Sequence, residues 1–203
     1  MTLLIIDYGM GNLGSVRRAF EECGASVTIS NDPNKIKSAS HIVLPGVGAF
    51  ADGIANLKNN GWIDAIHKTV LENNIPFLGI CLGMQLVADK SFEGGDLAGL
   101  GLIPGEVRRF VPVAGERIPH VGWNEVYPNE GTKLFEGVPA GTDVYFVHSF
   151  HFAPKNPAHI AATTPYCGHF VSAVASGNIF GVQFHPEKSA KMGFQIIKNF
   201  LKL

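Results

Sequence analysis

A cysteine at the centre of Gly79-Ile80-Cys81-Leu82-Gly83 has the setting of a nucleophile. The apolar run Phe77-Leu78-Gly79-Ile80 leads into it, and Met84-Gln85-Leu86 continues in a helix-like pattern. A buried strand that delivers one residue to a tight turn and releases a helix is a nucleophile elbow, here with sulfur in place of a serine hydroxyl. The glycines on either side leave room for a strained backbone. The amides that open the new helix place partial positive charge near the sulfur, which favours the thiolate. A lone cysteine is more often an inert core residue, so the chemistry needs a base elsewhere in the chain.

Among the eight histidines, His185 in Gly181-Val182-Gln183-Phe184-His185-Pro186-Glu187 stands out. Pro186 biases the residue before it toward extended backbone. In an extended chain residues two apart face one side, which predicts His185 and Glu187 side by side. A carboxylate beside an imidazole can orient the ring and stabilise its protonated form. The bland alternative is a surface turn. An oxyanion hole is the third requirement. The Leu82 N–H, directly after the nucleophile, is one donor by elbow geometry. Pro45-Gly46-Val47-Gly48 is the candidate for the second, because its glycines let backbone approach a ligand; a plain glycine-rich turn is the competing reading.

The elements that must carry these residues can be read from hydrophobic pattern. Leu3 to Asp7, Ser26 to Ser30, His41 to Leu44 and Ile75 to Ile80 read as strands. Leu13 to Cys23, Phe50 to Lys58 and Trp62 to Glu72 read as helices, with Gly24 closing the first. Strands that alternate with helices and are apolar throughout predict a parallel sheet covered on both faces. From about Gly105 the pattern becomes short β segments punctuated by Pro and Gly, ending in a helix over Met192 to Leu203. With no linker or repeat, residues 1–203 are expected to form a single domain.

Composition narrows the classes. The 203 residues can bury a core of roughly 70% of the unfolded surface. Charged residues are 16% of the chain and the net charge is −1, which argues against nucleic-acid or anionic-membrane partners. Cys23, Cys81 and Cys167 are widely spaced, with no Cys-x-x-Cys pair, so a disulfide framework or zinc knuckle is not expected and a reducing cytoplasm fits. The apolar start meets Asp7 early and lacks a basic region, so it reads as a strand rather than a signal peptide. No run reaches the ~18 apolar residues of a membrane span.

Gly79-Ile80-Cys81-Leu82-Gly83-Met84-Gln85 together with His185-Pro186-Glu187 resembles the class I (triad) glutamine amidotransferases. Further blocks narrow the likeness: Ile6 to Leu13, Pro45 to Phe50, His120-Val121-Gly122-Trp123-Asn124, Tyr145 to Phe150, and Gly181 to Ser189. Together they are similar to the glutaminase members that supply a cyclase making imidazole glycerol phosphate for histidine synthesis. The resemblance implies a flavodoxin-like α/β fold of three layers, with a mainly parallel central sheet and a β-hairpin extension in the second half. It implies a Cys81, His185, Glu187 triad that releases ammonia from L-glutamine, with Val47, Gly48 and Leu82 at the oxyanion. Glutamine contacts carry over to Gly48, Gln85, Glu93, His148 and Ser149. Asn12, Trp123, Tyr145 and Lys188 match positions facing a partner, a separate cyclase subunit built as a (β/α)₈ barrel; the chain ends at Leu203 after one helix, so the barrel is expected on another chain. It also implies that the amide near Val47 can be turned away until the partner is loaded. No cofactor or metal is implied.

Two motifs point elsewhere. Gly9-Met10-Gly11-Asn12-Leu13-Gly14 follows a strand and opens a helix, and Asp32 follows the next strand, as in dinucleotide sites. That reading leaves the elbow and His-Pro-Glu unexplained. His148-x-x-His151 could suggest a metal pair, but residues three apart in one strand face opposite sides. The remaining alternatives are another amidotransferase glutaminase, a Cys-His-Glu peptidase of the same fold, or a non-catalytic partner-binding member.

Overall fold

The computed structural model describes residues 2–113 and 115–203. Its frame is a nine-stranded sheet with two halves of different character. The first half contains β1 (Thr2–Ile6), β2 (Ser26–Ser30), β3 (His41–Gly46) and β4 (Phe77–Cys81), all parallel. Four helices follow these strands in the chain: α1 (Leu13–Glu22), α2 (Phe50–Asn59), α3 (Trp62–His67) and the short α4 (Leu82–Leu86). The helical stretch expected from Trp62 to Glu72 is present, but it widens into a π-helical turn over Lys68–Glu72.

Two two-residue strands, β5 (Lys90–Ser91) and β6 (Leu97–Ala98), precede the β-rich half. That half holds β7 (Gly105–Arg109), β8 (His120–Pro128), β9 (Thr142–His148), β10 (Phe150–Pro154), β11 (Ile160–Pro165), β12 (His169–Ser176) and β13 (Ile179–Val182). Helix α5 (Ala190–Phe200) closes the chain. The large sheet runs β2-β1-β3-β4-β13-β12-β11-β8-β9, and a small sheet runs β10-β7-β5-β6. The parallel pairing ends at β13, which pairs parallel with β4 and antiparallel with β12, so the sheet is mainly parallel with an extension in the second half, as expected. The second half therefore extends the central sheet as an antiparallel meander.

Side-chain alternation assigns the two faces. Leu3, Ile5, Val43, Leu78, Ile80, Phe180 and Val182 point to one side and pack with α1 and α5. Leu4, Ile6, Ile42, Leu44, Phe77 and Ile179 point to the other and pack with α2, α3 and α4. Each central strand is thus apolar on both faces, which is why it reads as a continuous apolar run. The meander curls over the ends of the parallel strands: the His185 N–H donates to the Tyr145 carbonyl at 2.9 Å, and the Cys81 sulfur lies 3.9 Å from the Val147 carbonyl. The edge strand β9 thereby returns across the carboxyl ends of β4 and β13, the end of an open α/β sheet where ligands are usually held.

Candidate active site

Cys81 is the last residue of β4 and immediately precedes α4. Its φ of 55° and ψ of −108° lie in a strained region for a residue with a side chain. Steric crowding fixes the turn. A Cβ on Gly83 would stand 1.8 Å from the Leu44 carbonyl oxygen, and one on Gly79 would stand 2.5 Å from the Gly83 oxygen. The helix leaves so close to β3 and β4 that only glycine fits on either side of Cys81, as the motif suggests.

Strand β13 lies beside β4 with Gly79 opposite Gly181 and Ile80 opposite Val182. The chain beyond Val182 therefore emerges next to Cys81. His185 is 3% exposed, and its Nδ1 hydrogen-bonds Glu187 Oε1 at 2.8 Å. The pair meets differently from the extended geometry expected. His185 itself is extended, but Pro186–Lys188 form a 3₁₀ turn with Pro186 at its first position. The turn brings the carboxylate back under the ring. Burial by itself would lower the His185 pKa; contact with the Cys81 sulfur and with Glu187 outweighs it and raises the pKa to about 9. Nε2 is buried with no hydrogen-bond partner among the described residues.

A cavity of about 270 Å³ opens beside the sulfur. It is lined by Val47, Gly48, Cys81, Leu82, Gln85, Glu93, Pro119, Val147, His148, Ser149 and Phe150. The structure thus gathers every oxyanion and substrate residue named from the sequence around one cavity, from four separate parts of the chain. Its size is near the lower end of small-molecule sites, roughly 300 Å³. Glu93 accepts the Phe50 N–H through Oε2 at 2.9 Å, which ties its loop to the start of α2. Gln85 donates through Nε2 to the Phe150 carbonyl at 2.9 Å and to Gln183 Oε1 at 3.0 Å.

Gln183 is fully buried, and its Nε2 lies 3.7 Å from the Cys81 sulfur. The sequence reading passed over it. The signal was its place two residues before His185, hence on the same side of an extended segment.

His148 lines the cavity, but its ring is engaged elsewhere. Its Nδ1 bonds the Phe150 carbonyl at 2.8 Å, and its Nε2 bonds His120 Nδ1 at 3.0 Å. His120 Nε2 in turn faces Asn124 Nδ2 at 3.2 Å. The carbonyl at one end and the amide donor at the other define one proton pattern: both rings neutral, each protonated on Nδ1. Burial lowers the pKa of His148 to about 3 and of His120 to about 4. With both ring nitrogens engaged, what His148 has left for a ligand is its backbone. His148 and His151 also belong to different sheets, because the chain changes sheets between β9 and β10; the one-strand reasoning used for that pair does not apply.

The positions matched to a partner face lie outside the cavity. Trp123 is 55% exposed, ruling out a core role. It sits opposite Tyr145 across the β8–β9 ladder, and the Lys188 ammonium stands 5.6 Å from the Tyr145 ring centre. Val121 and Val147 continue this exposed face. Asn12 is exposed and caps α1 through its side chain, which accepts the Ser15 N–H at 3.3 Å. In the dinucleotide-like motif Asp32 is occupied as a cap as well, accepting the Asn34 N–H at 3.0 Å.

A strained cysteine at the carboxyl end of a parallel strand, a buried His–Glu pair beside it and a small cavity alongside are the parts that a cysteine-dependent hydrolase on an α/β sheet requires. Residues 4–203 match the glutamine amidotransferase class-I family, and the chain belongs to it. It is similar to the imidazole glycerol phosphate synthase subunit HisH of Moorella thermoacetica, 50% identical over 99% of this chain and 94% of that one. The HisH subunit of Syntrophotalea carbinolica is 44% identical over 98% of both chains. Among solved structures, a glutamine amidotransferase superposes with a TM-score of 0.77 at 17% identity over 98% of this chain and 97% of the other. PurLQS from Thermotoga maritima superposes with a TM-score of 0.75 at 20% identity over 98% of both. These two likenesses concern the fold.

Proposed function

We propose that the chain is the glutaminase subunit of an imidazole glycerol phosphate synthase, with Cys81, His185 and Glu187 as its catalytic triad in one amidotransferase domain spanning residues 1–203. The observation that carries the reading is the buried His185–Glu187 pair placed beside a strained Cys81 at the wall of the small cavity. The Cys81 sulfur, its proton held on His185, attacks the side-chain amide carbon of L-glutamine. The carbonyl oxygen becomes an oxyanion facing the Leu82 N–H and the Val47–Gly48 backbone. His185 then gives its proton to the departing nitrogen, ammonia leaves, and a thioester remains on the sulfur. Water attacks the thioester while His185 takes its proton. The sulfur departs, glutamate is released, and the proton on His185 restores the resting pair. Glu187 keeps the ring oriented throughout.

Gly48, Gln85, Glu93 and the backbone of His148 and Ser149 hold the substrate in this reading. Glu93 has a second carboxylate oxygen for the ammonium group of glutamine, and Gln85 has its carbonyl oxygen free of the bonds made by its amide nitrogen.

The partner is a cyclase subunit with a (β/α)₈ barrel, which takes the ammonia to form imidazole glycerol phosphate and an aminoimidazole ribonucleotide in the cytoplasm. The exposed Val121, Trp123 and Val147 on the outer face of β8 and β9, with Tyr145, Lys188 and Asn12, support that face as its seat. The test is a glutaminase assay on the full chain, alone and with a candidate barrel subunit and its ribonucleotide. Glutamate should form slowly alone and faster in the complex. Cys81→Ala should abolish it while the complex still assembles; retained activity in that variant would sink the proposal.

A further inference from the structure

Ser189 lies one residue beyond the segment to which the proposed chemistry assigns roles, and it is 1% exposed. Its hydroxyl donates to the His185 carbonyl at 2.6 Å and accepts the Tyr145 N–H at 3.1 Å. The His185 N–H donates to the Tyr145 carbonyl at 2.9 Å. These three bonds close a ring: His185 to Tyr145, Tyr145 to Ser189, Ser189 back to His185. A fourth bond, from the Lys188 N–H at 3.0 Å, also ends on the His185 carbonyl.

The need for a side chain here follows from the topology. Strand β13 ends at Val182, and Pro186 has no N–H, so no β ladder can continue through His185. Strand β9 is the last strand of its sheet and offers an unpaired edge to the passing chain. One side-chain hydroxyl supplies both a donor and an acceptor, and Ser189 uses both to replace the missing ladder. Its backbone is held in turn, because the Ser189 N–H donates to the Pro186 carbonyl at 3.1 Å and the Gly193 N–H donates to the Ser189 carbonyl at 2.9 Å.

We infer that Ser189 is a positioning residue for glutamine hydrolysis: its hydroxyl locks the His185 backbone to the edge of β9 and so sets the imidazole between Cys81 and Glu187. This rests on the reading of His185 as the general base. Losing the hydroxyl leaves the Tyr145 N–H without its acceptor and the carbonyl of His185 held by the Lys188 N–H alone, so the residue can shift, and displacement of about 1 Å at a reacting group can cost on the order of a hundredfold in rate.

The experiment compares the wild-type chain with Ser189→Ala and His185→Ala, each assembled with the partner subunit. Ser189→Ala should lower kcat about tenfold or more, with KM for glutamine within about twofold, because the cavity that binds substrate is not altered. In carbon-13 spectra of the histidine rings, assigned by loss of the signal in His185→Ala, the His185 midpoint of about 9 should fall by one pH unit or more in Ser189→Ala as the ring loses its place against Cys81 and Glu187. A merely structural serine would lower the melting temperature and leave kcat and the His185 midpoint at wild-type values, and that outcome overturns the inference. If His185→Ala itself retained full activity, the base assignment would fail and this inference with it; an inactive His185→Ala beside an unchanged Ser189→Ala would remove the inference alone.

Discussion

The buried pair His120–His148 should make the fold sensitive to acid well above the range where carboxylates protonate. Both rings are neutral in the fold, with pKa values lowered by burial to about 4 and about 3, against 6.5 for an exposed histidine. In the unfolded chain both take up a proton as pH falls through 6.5, while the folded protein takes up none until near 4. The stability they permit is therefore complete above 6.5 and is lost as pH falls from there toward 4. Two protons give a slope of ~2.7 kcal/mol per pH unit, or ~5 kcal/mol between pH 6.5 and 4.5. That loss is comparable to the whole stability of many domains, about 5–15 kcal/mol. Burial shifts His41 and His151 in the same direction, which steepens the slope. Urea unfolding at half-unit steps from pH 7 to 4.5 would measure it. His120→Leu should cost about 1–3 kcal/mol at pH 7, since His148 Nε2 loses its donor. It should also remove one titrating group, so the gap to wild type closes as pH falls. Ring signals of His120 or His148 that titrate near 6.5, or wild-type stability that stays flat from pH 6.5 to 5, would refute the reasoning.

Four further outcomes are expected. Glu187→Gln removes the charge beside His185 and should lower kcat by about 10²- to 10⁴-fold, with the His185 midpoint moving down from about 9 in a ring-signal titration. Gly83→Ala would put a Cβ 1.8 Å from the Leu44 carbonyl oxygen and should destabilise the chain by more than about 4 kcal/mol, read as insolubility or as early unfolding in urea. Tyr8→Phe should stabilise the fold by about 1 kcal/mol, because the buried Tyr8 hydroxyl has no hydrogen-bond partner among the described residues. Since that hydroxyl lies 2.2 Å from where a Gly46 Cβ would be, Gly46→Ala should be strongly destabilising alone and milder with Tyr8→Phe, which a double-mutant cycle would measure.

The local part of this design was legible in the sequence. Apolar runs located β1 to β4, and the Gly-x-Cys-x-Gly spacing located the elbow, because a turn that rejects any Cβ leaves glycine as its mark. The partnership of His185 with Glu187 was also legible, although its geometry was not: Pro186 starts a turn, and the two side chains meet through it rather than along an extended strand. What the sequence could not display depends on the curl of the sheet. That Tyr145 would touch His185, or that His148 would turn its ring toward His120, is decided by strands distant in the chain. Gln183 was missed because its one mark, a place two residues before His185, gains meaning only when its neighbours Cys81 and Gln85 are in place. Trp123 reads as core by its type, and only its position on the outer face of β8 shows it exposed.

The adjacency of β4 and β13 has a consequence for the making of the protein. The cysteine is synthesised 104 residues (185 − 81) before the histidine that would serve it. Their strands form a parallel pair, which requires a long crossover to close first. No nascent fragment that ends before residue 185 holds both groups, so a truncated or stalled chain carries a thiol without a base. Competence to release ammonia is thus delayed until the chain has grown past residue 185.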